Sequence, residues 1–254
     1  MPTPSVAVFP SPLPAPTGLV VPGQLTVAAD PTEAPLVYYD RDNRFAGFTI
    51  ELVDRIATQV GLKLNVINID GAEIVPGLAG NQQRYDMGVA PQPASPELKA
   101  RASTLDYLVA GPVILARHDD RKITGPQSLC GSTVGGNRDR GEQTIVLRLN
   151  QGACQGQPIA YTPYDDDIKG IHDLQSGTLQ AYLEDYAPAT ALARLYGDIR
   201  VVPRPLNPAF QVFVFAPANS AVRSAVSKAF DRVRRDGEYH NLLLRWGLQE
   251  GAVS

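Results

Sequence analysis

GFTIELVDRIATQVGLKLNVIN, residues 47–68, holds two hydrophobic periods in succession. In its first part Phe48, Leu52, Ile56 and Val60 recur at helical spacing and define one apolar face, which predicts a helix over 47–61. LKLNVIN (62–68) then alternates apolar and polar residues, the period of a strand. Upstream, QLTVAA (24–29) reads as a strand; downstream, a short helix is expected at Glu73 to Leu78 and a strand at DMGVA (86–90). Strands separated by helices of this length imply parallel βαβ units.

The alternation breaks at YLVAGPVILAR (107–117) and then restarts. Strands are expected at STVGG (132–136), PIAYT (158–162), LQAYLED (179–185) and IRVVP (199–203). Helices are expected at about 140–150, 165–176 and 187–196. Two sets of alternating elements, joined by YLVAGPVILAR and NPAFQVFVFAP, argue for two α/β lobes rather than one. The last segment, 219–248, places Val222, Val226, Phe230 and Val233 at helical spacing behind a cap at Asn219 or Ser220, and Asp236-Gly237 separates it from a final helix.

A chain of 254 residues with 44% hydrophobic and 19% charged residues can bury a core and gives an ordinary globular protein. Its formal charge of −3 supplies no general attraction to nucleic acid or to an anionic membrane, so neither is expected as a partner. The first 22 residues hold seven prolines and almost no charge, which suits an extended tether and neither a helix nor a central strand. They contain no basic region followed by an apolar run, and no stretch of about 20 apolar residues occurs anywhere. The expectation is a chain whose export signal has been removed, with a lipid-anchored cysteine in the removed segment. Cys130 and Cys154 fit no zinc or thioredoxin-type spacing. They are either two buried thiols or a disulfide closing a loop of about 25 residues, which would point to an oxidising compartment.

The order of these segments resembles the extracytoplasmic solute-binding proteins of amino-acid ABC importers, solute-binding protein family 3. AADPTEAPLVYYDRDNRFAGFTIELVDRIATQVGLKL (28–64) is similar to the family's opening, EIVPGLAGNQQRYDMGVA (73–90) to its LIPxLxxGxxD segment, and LCGSTVGGN (129–137) to its LxGKxVGV strand. LQSGTLQAYLED (174–185) looks like its LxxGxxDAxxxD, and DGEYHNLLLRWGL (236–248) like its closing signature. The resemblance implies the venus flytrap of type II periplasmic binding proteins, an α/β fold of two lobes with two parallel-rich sheets flanked by helices and joined by two hinge crossings. Residues 1–23 would then be the tether, 24–110 plus 211–254 the first lobe and 111–210 the second. It also implies a Cys130–Cys154 disulfide, a small-molecule solute bound in the cleft, an ABC permease and ATPase as partners, a monomer, and a place in the periplasm or at the cell surface.

The family's ligand is usually an α-amino acid, whose carboxylate is held by an arginine in a TxxR segment. Here the matching segment is Ser95-Pro96-Glu97-Leu98, and Leu98 stands where the arginine would be. Positions that offer hydroxyl and N–H donors in the family correspond to Ala90, Pro91 and Pro93, with Gln92 between them, and proline has no N–H to give. Aromatics that enclose the ligand side chain correspond to Glu33 and Gly71. Asp30 and Asp185 persist, the latter at the position that usually receives the ligand ammonium. GGNRDRGEQ (135–143) matches the family's anion-contacting turn but carries Arg138 and Arg140, which offer a replacement cation near a helix N-terminus; Lys99 and Arg101 are weaker candidates. The expected pocket is therefore Asp30, Glu33, Gly71, Ala90, Pro91, Gln92, Arg138, Arg140 and Asp185, one that does not hold an ordinary amino acid in the usual way or holds it weakly; the room at Gly71 and the negative side offered by Asp30, Glu33 and Asp185 suit a bulkier, polar or cationic solute better.

No metal or cofactor is expected. His118, His172 and His240 are scattered, YDDDIKG (164–170) lacks the order of a calcium loop and reads as a helix start, and GSTVG and GGNRDRG depart from the nucleophile-elbow and phosphate-loop patterns. No enzymatic turnover is expected. Two alternatives remain open. One is a dehydratase on the same fold that uses Glu33 or Glu142 as general acid; the other is a sensory module that presents solute to a membrane receptor.

Overall fold

The computed structural model describes residues 12–79, 83–90 and 93–253. Along the chain the elements are β1 (Gln24–Ala29), β2 (Thr32–Glu33), β3 (Val37–Tyr39), β4 (Phe45–Ala46), α1 (Phe48–Gln59), β5 (Lys63–Asn68), α2 (Gly71–Leu78), β6 (Met87–Val89), α3 (Pro96–Arg101) and β7 (Ser103–Ala110). The chain continues with β8 (Pro112–Arg117), β9 (Thr133–Asn137), α4 (Glu142–Gln151), β10 (Ala160–Tyr164), α5 (Asp167–Gln175), β11 (Ala181–Asp185), α6 (Tyr186–Tyr196) and β12 (Ile199–Val202). It closes with β13 (Ala209–Phe215), α7 (Ser220–Arg235) and α8 (Glu238–Trp246).

Two five-stranded sheets organise two lobes. The first has the order β5-β1-β6-β13-β7 and the second β10-β9-β11-β8-β12. In each, the βαβ strands pair in parallel, β1 with β5 and β6, and β9 with β10 and β11. The strands that enter or leave by the crossings pair antiparallel: β13 with β6 and β7, and β8 with β11 and β12. Each sheet is thus evenly mixed, because a strand arriving from the other lobe runs against its neighbours. A three-stranded sheet, β2-β3-β4, lies between β1 and α1 and is invisible to periodicity because its strands have only two or three residues each.

The helical face of α1 is buried as its spacing predicts, with Phe48, Leu52 and Ile56 all at 0% exposure. Its start needs Gly47, whose φ is +120° and where a Cβ would lie 2.2 Å from the Leu36 carbonyl oxygen. On α7, Val222, Val226, Ala229, Phe230 and Val233 are buried, and the Asn219 side chain accepts from the Val222 N–H as its cap. Asp166 likewise caps α5 by accepting from the Ile168 N–H, so the acidic run at 165–167 opens a helix. Cys130 and Cys154 are joined in a disulfide that closes the loop carrying β9 and α4.

Residues 12–23 do not stand off from the first lobe. Leu13 and Leu19 pack on its core, the Leu13 N–H donates to the Gln59 carbonyl, and the Val20 N–H donates to the Asp86 carboxylate at 2.8 Å. Asp86 is fully buried and takes a second N–H, from Thr26, at 2.7 Å.

The two crossings run side by side at Gly111, between β7 and β8. Its φ is +119°, and a Cβ there would lie 2.4 Å from the Asn207 carbonyl oxygen, so only glycine lets the two chains approach so closely. The Leu206 N–H donates to the Pro112 carbonyl and the Tyr186 N–H to the Gly111 carbonyl, which ties both crossings to the start of α6. Beside this hinge α6 packs on the C-terminal helix: Tyr186 and Ala189 share a core with Tyr239, Leu242 and Leu248, and Arg194 donates to the Arg245 carbonyl.

Candidate ligand-binding site

The carboxyl ends of the strands bring charged residues from both lobes to one cleft, where loops and helix starts converge. From the first lobe come Asp30, just past β1, and Glu33 in β2; from the second come Arg140, in the β9–α4 turn, and Glu184 and Asp185 at the end of β11. Asp30, Glu33, Val89, Ala90, Tyr107 and Gln211 line one small cavity. Glu33, Pro93, Gly111, Asp185, Tyr186 and Gln211 line a second, of about 50 Å³, whose walls come from both lobes. A third, of about 410 Å³, opens between Asp30, Gly71, Ala90, Pro93, Leu98 and Arg101.

Asp30 is partly committed to the scaffold. Its Oδ1 accepts from the backbone N–H and hydroxyl of Thr32, and its Oδ2 accepts from the Gly71 N–H at the start of α2 at 2.9 Å. Glu33 carries no such bonds among the described residues. Loss of water in the cleft raises its pKa, and the negative charges of Asp30 and Asp185 raise it further, against the pull of Arg140. Burial also pushes Asp185 above the usual aspartate range, with Arg140 opposing and Asp167 adding to the rise.

Arg140 sits against the carboxylate of Glu184, a side chain only 1% exposed, and reaches Asp167 at 3.4 Å. Glu184 accepts from the Asp185 N–H through the same oxygen that meets Arg140, and its Oε2 has no partner among the described residues. The guanidinium that the turn offers to an anion is therefore already neutralised within the second lobe. Arg138 turns away to an exposed pair with Asp165 and lines none of these cavities. Nearby, Glu142 heads α4 at 1% exposure, and among the described residues neither carboxyl oxygen has a hydrogen-bond partner. Desolvation, with Asp185 and Asp167 nearby, lifts its pKa to about 7.

Of the residues picked from sequence, Asp30, Glu33, Gly71, Ala90 and Asp185 line the cavities; Arg140 lines none of them, and its partners Glu184 and Asp167 line a further cavity of about 530 Å³ with Ala34 and Pro35. Pro91 and Gln92 lie outside the described residues. Leu98, at the place of the family's arginine, is half-buried and packs on a core of Ala28, Ile74, Ala90 and Val214. Arg101, one turn further along α3, is exposed and lines the third cavity, while Lys99 does not. Glu184, Tyr107 and Gln211 were missed. A carboxylate next to Asp185 gives no sequence signal of its own, and Tyr107 and Gln211 reach the site only through the pairing of β7 with β13.

A two-lobed α/β fold with paired crossings and an interlobe acidic cleft defines a type II periplasmic binding protein. Residues 25–249 match the bacterial extracellular solute-binding proteins, family 3, and the chain belongs to that family. It is 28% identical over 257 residues to the arginine-binding protein ArgT of Corynebacterium glutamicum, covering 97% of this chain and 83% of the relative. It is 30% identical over 226 residues to a probable amino-acid ABC transporter-binding protein of Haemophilus influenzae, covering 87% of this chain and 84% of that one. The structure of the L-cystine solute receptor of Neisseria gonorrhoeae in its unliganded open conformation superimposes with a TM-score of 0.77 at 18% identity, covering 91% of this chain and 95% of the receptor, a likeness of fold. No helix among the described residues is long and apolar enough to cross a membrane.

Proposed function

We propose that the protein captures an α-amino acid or an amino-acid derivative between its lobes, outside the cytoplasm, and delivers it to an ABC permease and its ATPase. The observation that carries this reading is Asp185, a carboxylate at the mouth of α6 that makes no capping bond and faces the cavity shared by both lobes. It suits a ligand ammonium, and the names of the Corynebacterium and Haemophilus relatives support the amino-acid class. Arg101 supports a carboxylate at the other end of the solute in place of the fork lost at Leu98. The cavity that Glu33 and Asp185 share is about 50 Å³, small against the few hundred Å³ of ordinary ligand pockets, so a solute reaches both carboxylates by parting the lobes about Gly111.

In this reading the activity is binding and closure without turnover, and the protein works as a monomer tied to the membrane by a lipid on a preceding segment. A ligand that binds only the folded state raises the melting temperature by mass action. A thermal-shift screen over amino acids, amino-acid derivatives, sugars and carboxylic acids should give stabilisation confined to the first two groups. Stabilisation confined to sugars or to acids without an amino group would contradict the proposal.

A further inference from the structure

Among the described residues the cleft between the lobes carries more carboxylates than cations: Arg140 acts on Glu33 and Asp185 only through space. Arg140 is shared by Glu184 and Asp167, and Arg138 is taken by Asp165. Asp30 is occupied by N–H and hydroxyl donors of Thr32 and by the Gly71 N–H. Glu33 and Asp185 are different: among the described residues neither side chain has a hydrogen-bond or ion-pair partner, and the two line one cavity from opposite lobes. Both carboxylates are still open to solvent; bringing the lobes together would strip water from two like charges, which opposes closure until something positive lies between them.

We propose that Glu33 selects the charge of the solute: with Asp185 from the other lobe it grips positive groups, so the captured solute is a net cation of the amino or guanidino class. The inference rests on the reading of the interlobe cleft as the solute site. The Glu33 backbone is held by the β2–β3 pairing, where the Leu36 N–H donates to the Glu33 carbonyl, so the side chain is presented from a fixed strand.

The test is calorimetric titration of the wild type and Glu33→Gln with L-arginine and L-lysine, and with the uncharged L-citrulline and L-glutamine. For the wild type we expect at least one of the two cations to bind about tenfold or more tightly than both neutral solutes, since a charge-assisted contact is at stake. Glu33→Gln should weaken the cation about tenfold, leave citrulline within about twofold, and so erase the preference. The melting temperature of the unliganded variant verifies that it is folded, and Glu33→Asp, which keeps the charge, should retain the preference. Neutral solutes binding as tightly as cations, or a cation affinity unmoved in folded Glu33→Gln, would overturn the inference and leave the solute-binding reading standing. Binding by none of the four would overturn the inference, and the solute-binding reading then falls only if the thermal-shift screen over all amino acids and their derivatives also shows no stabilisation.

Discussion

Arg140 is held by Glu184, an exposed guanidinium against a carboxylate whose side chain is 1% accessible. The pair converts what sequence offers as an anion site into an internal support for the end of β11. Removing the arginine leaves Glu184 buried and uncompensated, a situation that costs several kcal/mol when both partners are buried. Because the Arg140 side chain is 36% exposed, we predict a smaller loss for Arg140→Ala, about 2 kcal/mol by denaturant unfolding. Arg138→Ala, which breaks an exposed pair, should cost less than about 0.5 kcal/mol. Equal effects of the two substitutions would contradict the assignment.

Glu142 makes stability depend on pH in a direction that can be worked out. Its folded pKa is raised from 4.5 to about 7, chiefly by burial, so the folded protein keeps a proton that the unfolded chain releases. The stabilisation is complete below about 4.5 and is lost as pH rises through about 7, on the order of 3 kcal/mol in all. Glu33, Asp86 and Asp185 are also raised and act in the same direction, so the comparison must be with Glu142→Gln. The stability of the wild type relative to this variant should decline between pH 4.5 and 8. A flat difference would show that Glu142 is charged at neutral pH.

The disulfide between Cys130 and Cys154 closes a loop with a sequence separation of 24 residues. In the chain-entropy description a closure of this length stabilises by about 3.5 kcal/mol. Replacing both cysteines by serine should lower unfolding free energy by about 3 kcal/mol, with a matching fall in melting temperature of the wild type under strong reductant. Because α4 and β9 lie inside the loop, the loss should centre on the second lobe, visible as faster amide exchange there than in β1 or β5.

What was legible in the sequence follows from periodicity and spacing. The helical face of Phe48, Leu52 and Ile56, the cap at Asn219 and the break at Gly237 all come from local rules, and the structure keeps them. The order of motifs carried the two-lobed fold. What escaped was set by long-range pairing: the short strands at 32–46, the antiparallel arrival of β8 and β13, and the docking of residues 12–23 through Asp86. At the site, Asp185 and Glu33 are singled out in sequence only through the resemblance, and the structure places both on one cavity. The neutralisation of Arg140 was not legible, because Glu184 lies 44 residues away and only the β9–β11 pairing brings them together.

The account stands on a solute held against Asp185 between the lobes. Calorimetric titration of wild type and Asp185→Asn with the amino acid that most raises the melting temperature tests this directly. The expected result is an affinity at least about tenfold weaker in the variant, with its unliganded fold intact. An affinity unchanged by the substitution would mean that the solute is gripped elsewhere and would contradict the account.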